Sequence, residues 1–315
     1  MEEIMAKRLL VFLLVVVSAM SVKAQSDFDF TQRWFNPTLY NPATVGNNLN
    51  TNVFLLGRQQ WAGFNKAPST FAGTFDTYVS NIRSGFGVTV ATDKVGLADK
   101  YNVRLLYAFY IKTGAESTLS LGLSAGLLVD SKHASNALIV DPSDPELAYA
   151  DRTEYSPDFD FGIEYKGPVK AGISVRHLGA ISPSNIYTKY SISVWAYLSA
   201  QLNISRGITV EPIASGIYRH SIYMFEGGAL FYMGKTNSRD TYNNRFWIGG
   251  VLRTGSTVAA MAGAYITSMI RLGYSFDYGF GKIANLNNYG SHELFVAFKF
   301  DSLFGKSSSR PAYFY

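Results

Sequence analysis

The sequence predicts an all-β chain: a single antiparallel transmembrane β-barrel of roughly 14 strands, behind a cleaved signal peptide and a short lead segment. Three observations predict it. The N-terminus is built for export, the composition is aromatic-rich and charge-poor, and long stretches alternate apolar with polar residues.

The export signal comes first. Lys7 and Arg8 precede the apolar run 9–20, and Val22-Lys23-Ala24 places small or aliphatic residues at −3 and −1 before Gln25. That is the layout of a cleavable signal peptide. The run is too short for a membrane-crossing helix, which needs about 20 residues. No Cys follows it to carry a lipid anchor. The expected organisation is signal peptide 1–24, lead or plug segment 25–50, barrel 51–300 and tail 301–315.

Composition narrows the class. With no Cys, disulfides and thiolate metal sites are excluded. Charged residues make up 16%, against roughly 25% in soluble domains. The chain carries 21 Tyr, 22 Phe and 28 Gly, and no linker divides it. Exported, charge-poor, Gly-rich and aromatic-rich chains suit a membrane barrel. A net charge of +5 is too small an excess to argue for nucleic acid.

Alternation supports the fold, because successive strand side chains point to opposite faces. Within 158–165, Phe159, Phe161, Ile163 and Tyr165 oppose Asp158, Asp160, Gly162 and Glu164. Val103, Leu105, Tyr107, Phe109 and Ile111 oppose Asn102, Arg104 and Lys112. Leu272, Tyr274 and Phe276 oppose Arg271, Gly273, Ser275 and Asp277, and Leu294, Val296 and Phe298 oppose Glu293 and Lys299. A soluble sandwich also alternates, but its strands average about 5–6 residues, and these segments are longer. Arg104, Asp158, Asp160, Glu164, Arg271 and Lys299 are therefore assigned to a polar lumen, and Phe159, Phe161 and Ile163 to lipid. An Arg at Phe161 is expected to cost about 2–4 kcal/mol near the midplane, and one at Asp160 to be better tolerated.

The expected strands are 53–60, 70–79, 83–92, 101–112, 117–130, 157–166, 168–178, 189–202, 207–218, 222–234, 244–254, 256–266, 268–278 and 291–300. The count is least defined between 219 and 267. Long connections (93–100, 131–156, 179–188) alternate with short ones (113–116, 166–167, 203–206), as in barrels with short periplasmic turns and long outer loops. Tyr78, Tyr101, Tyr110, Tyr165, Tyr190, Tyr218, Tyr232, Trp247, Tyr265 and Tyr278 fall near strand ends, where aromatic girdles lie.

Catalytic patterns are weak. Gly122-Leu123-Ser124-Ala125-Gly126 matches G-x-S-x-G, but it lies inside an alternating strand rather than on a strand-to-helix turn. His133, His177, His220 and His292 lack the i, i+4 spacing of a helical zinc pair. The acidic run 141–146 lacks the spacing of a calcium loop. No catalytic residue, cofactor or metal is assigned.

Specific motifs remain. Asn36-Pro37 and Asn41-Pro42-Ala43, with Gly46, precede Arg58-Gln59-Gln60-Trp61; Gly273-Tyr274-Ser275-Phe276-Asp277 and Gly290-Ser291-His292-Glu293 stand near the other end. Asn-Pro steps read as turns. Arg58, Gln60 and Trp61 read as a lumen cluster or an interface anchor, and His292-Glu293 as a bonded pair at a strand end. In order and spacing these motifs resemble the PorP/SprF family of type IX secretion system membrane proteins, over the whole mature chain. The resemblance implies an outer-membrane barrel that supports export or surface retention of cargo such as adhesins. The partners it implies are outer-membrane lipid, periplasmic and outer-membrane subunits of the secretion machine, and the exported cargo. The barrel alone equally allows a passive porin or solute channel and, more weakly, an outer-membrane hydrolase. Apolar residues mixed with acids in 131–156 are the expected partner contacts, and the aromatics in 25–50 are either periplasmic partner contacts or a fold-back that plugs the lumen.

Overall fold

The computed structural model describes residues 27–47, 49–64, 66–133, 151–179, 191–219, 222–237, 240–280 and 289–300. Fifteen strand segments follow one another: β1 (Thr51–Gln59), β2 (Ser69–Val79), β3 (Ser84–Val95), β4 (Ala98–Lys112), β5 (Thr118–His133), β6 (Asp151–Lys166), β7 (Val169–Arg176), β8 (Ser193–Ala200), β9 (Leu202–Ser205), β10 (Ile208–Arg219), β11 (Ile222–Asn237), β12 (Asp240–Arg253), β13 (Thr257–Tyr265), β14 (Ile270–Gly279) and β15 (Ser291–Phe300). Neighbours along the chain pair antiparallel, β8 with β9 excepted. β8 and β9 are one stave interrupted at Gln201, since both pair along the same edge of β10. The first and last strands pair from Thr51↔Phe300 to Gln59↔His292 and close the ring at 14 staves. Closure leaves no open sheet edge for lipid to meet.

The amphipathicity is inside out. On β4 the exposed residues up to Ile111 are apolar or tyrosine, with Leu105 at 68%, while Arg104 is 2% exposed on the inward face. On β6, Phe159, Phe161 and Tyr165 are exposed, and Asp158, Asp160 and Glu164 are buried. A water-soluble sheet would bury the first set. A barrel in lipid turns it outward and keeps charge inside.

The connections sort by end. Residues 60–68, 134–150, 177–192 and 280–290 join staves at one end, hereafter the mouth. The other end carries the turns 80–83, 113–117, 167–168 and 266–269. Three expectations change. Residues 93–100 are no long loop: β3 and β4 run on and meet across Gly96-Leu97. Residues 203–206 are mostly strand, and the turn falls at Arg206-Gly207. The expected loop 131–156 is shortened at both ends, because β5 reaches His133 and β6 begins at Asp151. The expected contacts within 134–150, Tyr190, the signal peptide and the tail 301–315 lie outside the described residues.

The aromatic girdle is also thinner than expected. Tyr101, Tyr165, Tyr218 and Tyr278 face outward. Tyr110 and Trp247 are buried inside, and Tyr78, Tyr232 and Tyr265 pack against the interior aromatic clusters. The reason is that the lumen is not empty.

Candidate functional site

Residues 27–47 lie within the lumen as a chain of short 3-10 turns, Thr31–Phe35, Pro37–Leu39 and Pro42–Thr44. Local sequence forces this shape. Pro37 and Pro42 each take the first position of a turn, where a missing N–H costs nothing. The Asn41 side chain accepts from the Ala43 N–H at 2.9 Å, capping the last turn. The segment runs from the mouth, where Asp27 meets Arg176 at the end of β7, to the turn end, where the Gly46 N–H reaches Asp76 on β2.

At the mouth the grip is ionic. Glu293 of β15 accepts the backbone N–H groups of Thr31 and Gln32 at 2.7 and 3.0 Å. Asp277 of β14 takes the Thr31 hydroxyl at 2.6 Å. Arg58 of β1 lies 3.0 Å from Asp277 and also pairs with Glu293. Thus Arg58, Asp277 and Glu293, placed apart in sequence, converge on two residues of the segment. Arg33 pairs with Asp29 and Glu226, the Trp34 indole N–H donates to Glu226 at 2.8 Å, and Arg253 binds Glu226 at 2.6 Å. Apart from the partly exposed Asp29, these groups are buried, so their pairs are screened little by water.

On the facing wall, Arg104 bonds Asp160 at 2.5 Å and the Leu39 carbonyl at 3.0 Å. Asp158 takes Asn102 and the His177 ring, and the other ring nitrogen of His177 meets Asp27 at 3.2 Å. Asp158, Asp160 and His177 offer ligand atoms within 4.8 Å of one another. Those carboxylates and the imidazole already hold protein partners, and Arg104 and Arg176 supply positive charge, so the arrangement reads as a charge network rather than a cation site. Ser124 is inward and buried, and both ring nitrogens of His177 are already taken by Asp158 and Asp27.

At the turn end the grip is steric. A Cβ on Gly122 would fall 2.1 Å from the Ala43 nitrogen, and one on Gly162 would fall 1.9 Å from the Asn41 side chain. The G-x-S-x-G match is therefore part of a slot for Asn41-Pro42-Ala43. Asn41 donates to the Ile163 carbonyl, Asn36 to Thr74, and Tyr110 to the Val45 carbonyl at 2.7 Å. Glu164 holds Asn47 and Tyr197. Between the two ends lies an aromatic layer: Trp34 and Tyr40 against Trp195, and Phe35 against Trp247 and Phe295. Arg271 lies over the Phe35, Trp247, Tyr265 and Phe295 rings and donates to the Phe35 carbonyl. Gly273 leaves room for Phe295 and Gln32, and Lys299 stands inward at the turn end.

Other motif residues lie elsewhere. The Gln60 N–H donates to Pro68 and the Trp61 N–H to the Ser291 hydroxyl, so both belong to the β1–β2 turn at the mouth. His292 and Glu293 do not form a pair. Adjacent strand residues face opposite ways, and His292 points outward to the Tyr274 hydroxyl at 2.7 Å. Arg176, Glu226 and Arg253 were missed as site residues. Extending the same alternation along β7, β11 and β12 would have placed them inward, but their partners in the segment carry no local signal.

A family model described as type IX secretion system membrane protein PorP/SprF matches residues 22–298. The chain belongs to this family. The segment 27–47 and the residues that grip it are thus parts of a PorP/SprF barrel. Among solved structures the chain is similar to the toluene transporter TbuX of Ralstonia pickettii, at 11% identity and a TM-score of 0.50, over 84% of this chain and 93% of that one. It is also similar to the toluene transporter TodX of P. putida (9%, TM-score 0.48, 86% and 94%) and to Omp33, an outer membrane protein of Acinetobacter baumannii (10%, TM-score 0.45, 80% and 100%). At such identities only the fold is shared, and TbuX supports it as an outer-membrane-type barrel. No curated protein matches the sequence.

Proposed function

We propose that this PorP/SprF barrel resides in the outer membrane and serves type IX secretion as a docking platform, supporting export or surface retention of cargo proteins such as adhesins. Its partners on this reading are outer-membrane lipid, periplasmic and outer-membrane subunits of the machine, and the cargo itself. Family membership supports the secretion role. The observation that carries the platform reading is the occupied lumen. The segment 27–47 runs from mouth to turn end and is fixed by buried ion pairs and hydrogen bonds to staves all round the ring. Such a filling suits a barrel that works through its rims and outer wall, and it weighs against a passive channel. The test pairs the exported proteins of a deletion strain with affinity capture from mildly solubilised membranes. Loss of particular surface proteins, with recovery of machine subunits or a large exported protein, supports the proposal. A normal set of exported proteins, with the barrel purifying alone, overturns it. Deleting 135–150 asks whether cargo is met at the mouth.

A further inference from the structure

The outward wall carries a notch of about 590 Å³ near the mouth, across β14, β15, β1, β2 and β3. Strand register explains its shape. One row of cross-strand partners reads His292, Gln59, Ser69, Lys94. The next row toward the turn end reads Tyr274, Leu294, Gly57, Phe71. Below that come Leu272, Val296, Leu55, Gly73 and Val90, with no charge. The wall thus passes from a polar lip to hydrocarbon within two residues.

Gly57 forms the floor. A Cβ there would find its nearest neighbour, a Phe71 ring atom, 3.9 Å away, so the space is open. Gly73 continues the depression diagonally onto β2, where the Leu55 side chain borders it. Lys94 is exposed at one end of the lip, and His292, bonded to Tyr274, stands at the other. Asp99, the cross-strand partner of Lys94, is turned to His133 at 3.4 Å. The lip thus carries one exposed cation, Lys94, with Ser69 beside it, while the Gln59 amide is turned to the Ala67 and Pro68 carbonyls.

We propose that this notch holds one phosphate-bearing lipid of the outer leaflet. Its headgroup lies on Lys94, with Ser69 and His292 along the same row, and an acyl chain lies over Gly57 toward Gly73. A lysine at the membrane surface attracts anionic lipid, and the apolar rows beneath supply the contact that a free anion could not use. The proposal rests on the barrel lying in the outer membrane with its mouth outward. It does not depend on the secretion role.

Native mass spectrometry of the full chain in detergent tests it, with phosphate-bearing lipid A, its dephosphorylated form and inorganic phosphate as probes. The expected result is one retained phosphate-bearing lipid, with the dephosphorylated form held more weakly. Lys94→Ala should lower retention about five-fold, the worth of one surface lysine at anionic lipid. Gly57→Leu should fill the floor and abolish retention, with the heat-modifiable folded band intact in both variants. Equal retention of the dephosphorylated lipid, binding of inorganic phosphate alone, or retention unchanged by both substitutions would overturn it. The Lys94→Ala arm stands even if Gly57→Leu folds poorly.

Discussion

At the mouth, residues 27–34 are gripped by carboxylates and guanidiniums from β1, β7, β11, β12, β14 and β15, whereas at the turn end residues 41–46 lie in a slot made by absent side chains on β3, β5 and β6. The difference teaches how one short segment is held without a core of its own. Charged pairs fix direction and register but cost desolvation, so they tolerate no loss of a partner. A glycine slot costs no desolvation and tolerates no added volume.

That contrast can be broken first at the mouth. Glu293→Ala leaves Arg58 short of a partner and two segment N–H groups buried and unbonded. It should destabilise the folded barrel by about 3–5 kcal/mol, read from urea unfolding in vesicles. Asp160→Arg should cost a similar amount, because it sets a third cation beside Arg104 and Arg176. Its neighbour Phe161→Arg, on the lipid face, should cost about 2–4 kcal/mol. If Asp160→Arg proves the milder of the two, the lumen is wetter and looser than described here.

Gly122→Val attacks the slot. Overpacking costs about 1–3 kcal/mol, and here it should act on the segment rather than on the sheet. Limited proteolysis should begin to cut within 36–47 while the heat-modifiable band persists. Cleavage unchanged from the natural protein would mean that the slot is not what holds Asn41-Pro42-Ala43. The smallest effect belongs to Trp34→Phe, which removes one hydrogen bond to Glu226 and leaves Arg253 in place. About 1 kcal/mol is expected, and a loss near that of Glu293→Ala would place the grip in the aromatic layer instead.

The staves were legible because each strand meets two unlike environments, so alternation alone separated Phe159 and Phe161 from Asp158 and Asp160. It even held through β11 to β13, where the turn pattern blurred and the count still closes at 14 staves. A plug in 25–50 was among the readings, but alternation could not reveal which residues grip it. Thr31 gives no hint that Glu293 lies beside it, because the contact spans 262 positions and no local period reports it. For that reason Asp160 read as a tolerant, water-facing position, and Tyr110 and Trp247 as girdle residues, when all three face packed protein. Motif residues were recognisable as a set, but not their division into the inward clamp of Arg58, Asp277 and Glu293 and the outward pair of Tyr274 and His292.

Single-channel recording in planar bilayers tests the central claim most directly, that this barrel is a filled platform. The full-length protein should insert without opening a steady conductance, and a variant lacking 27–47 that still folds should conduct. A stable, ion-conducting pore from the full-length protein would contradict the account and return the barrel to the class of passive channels.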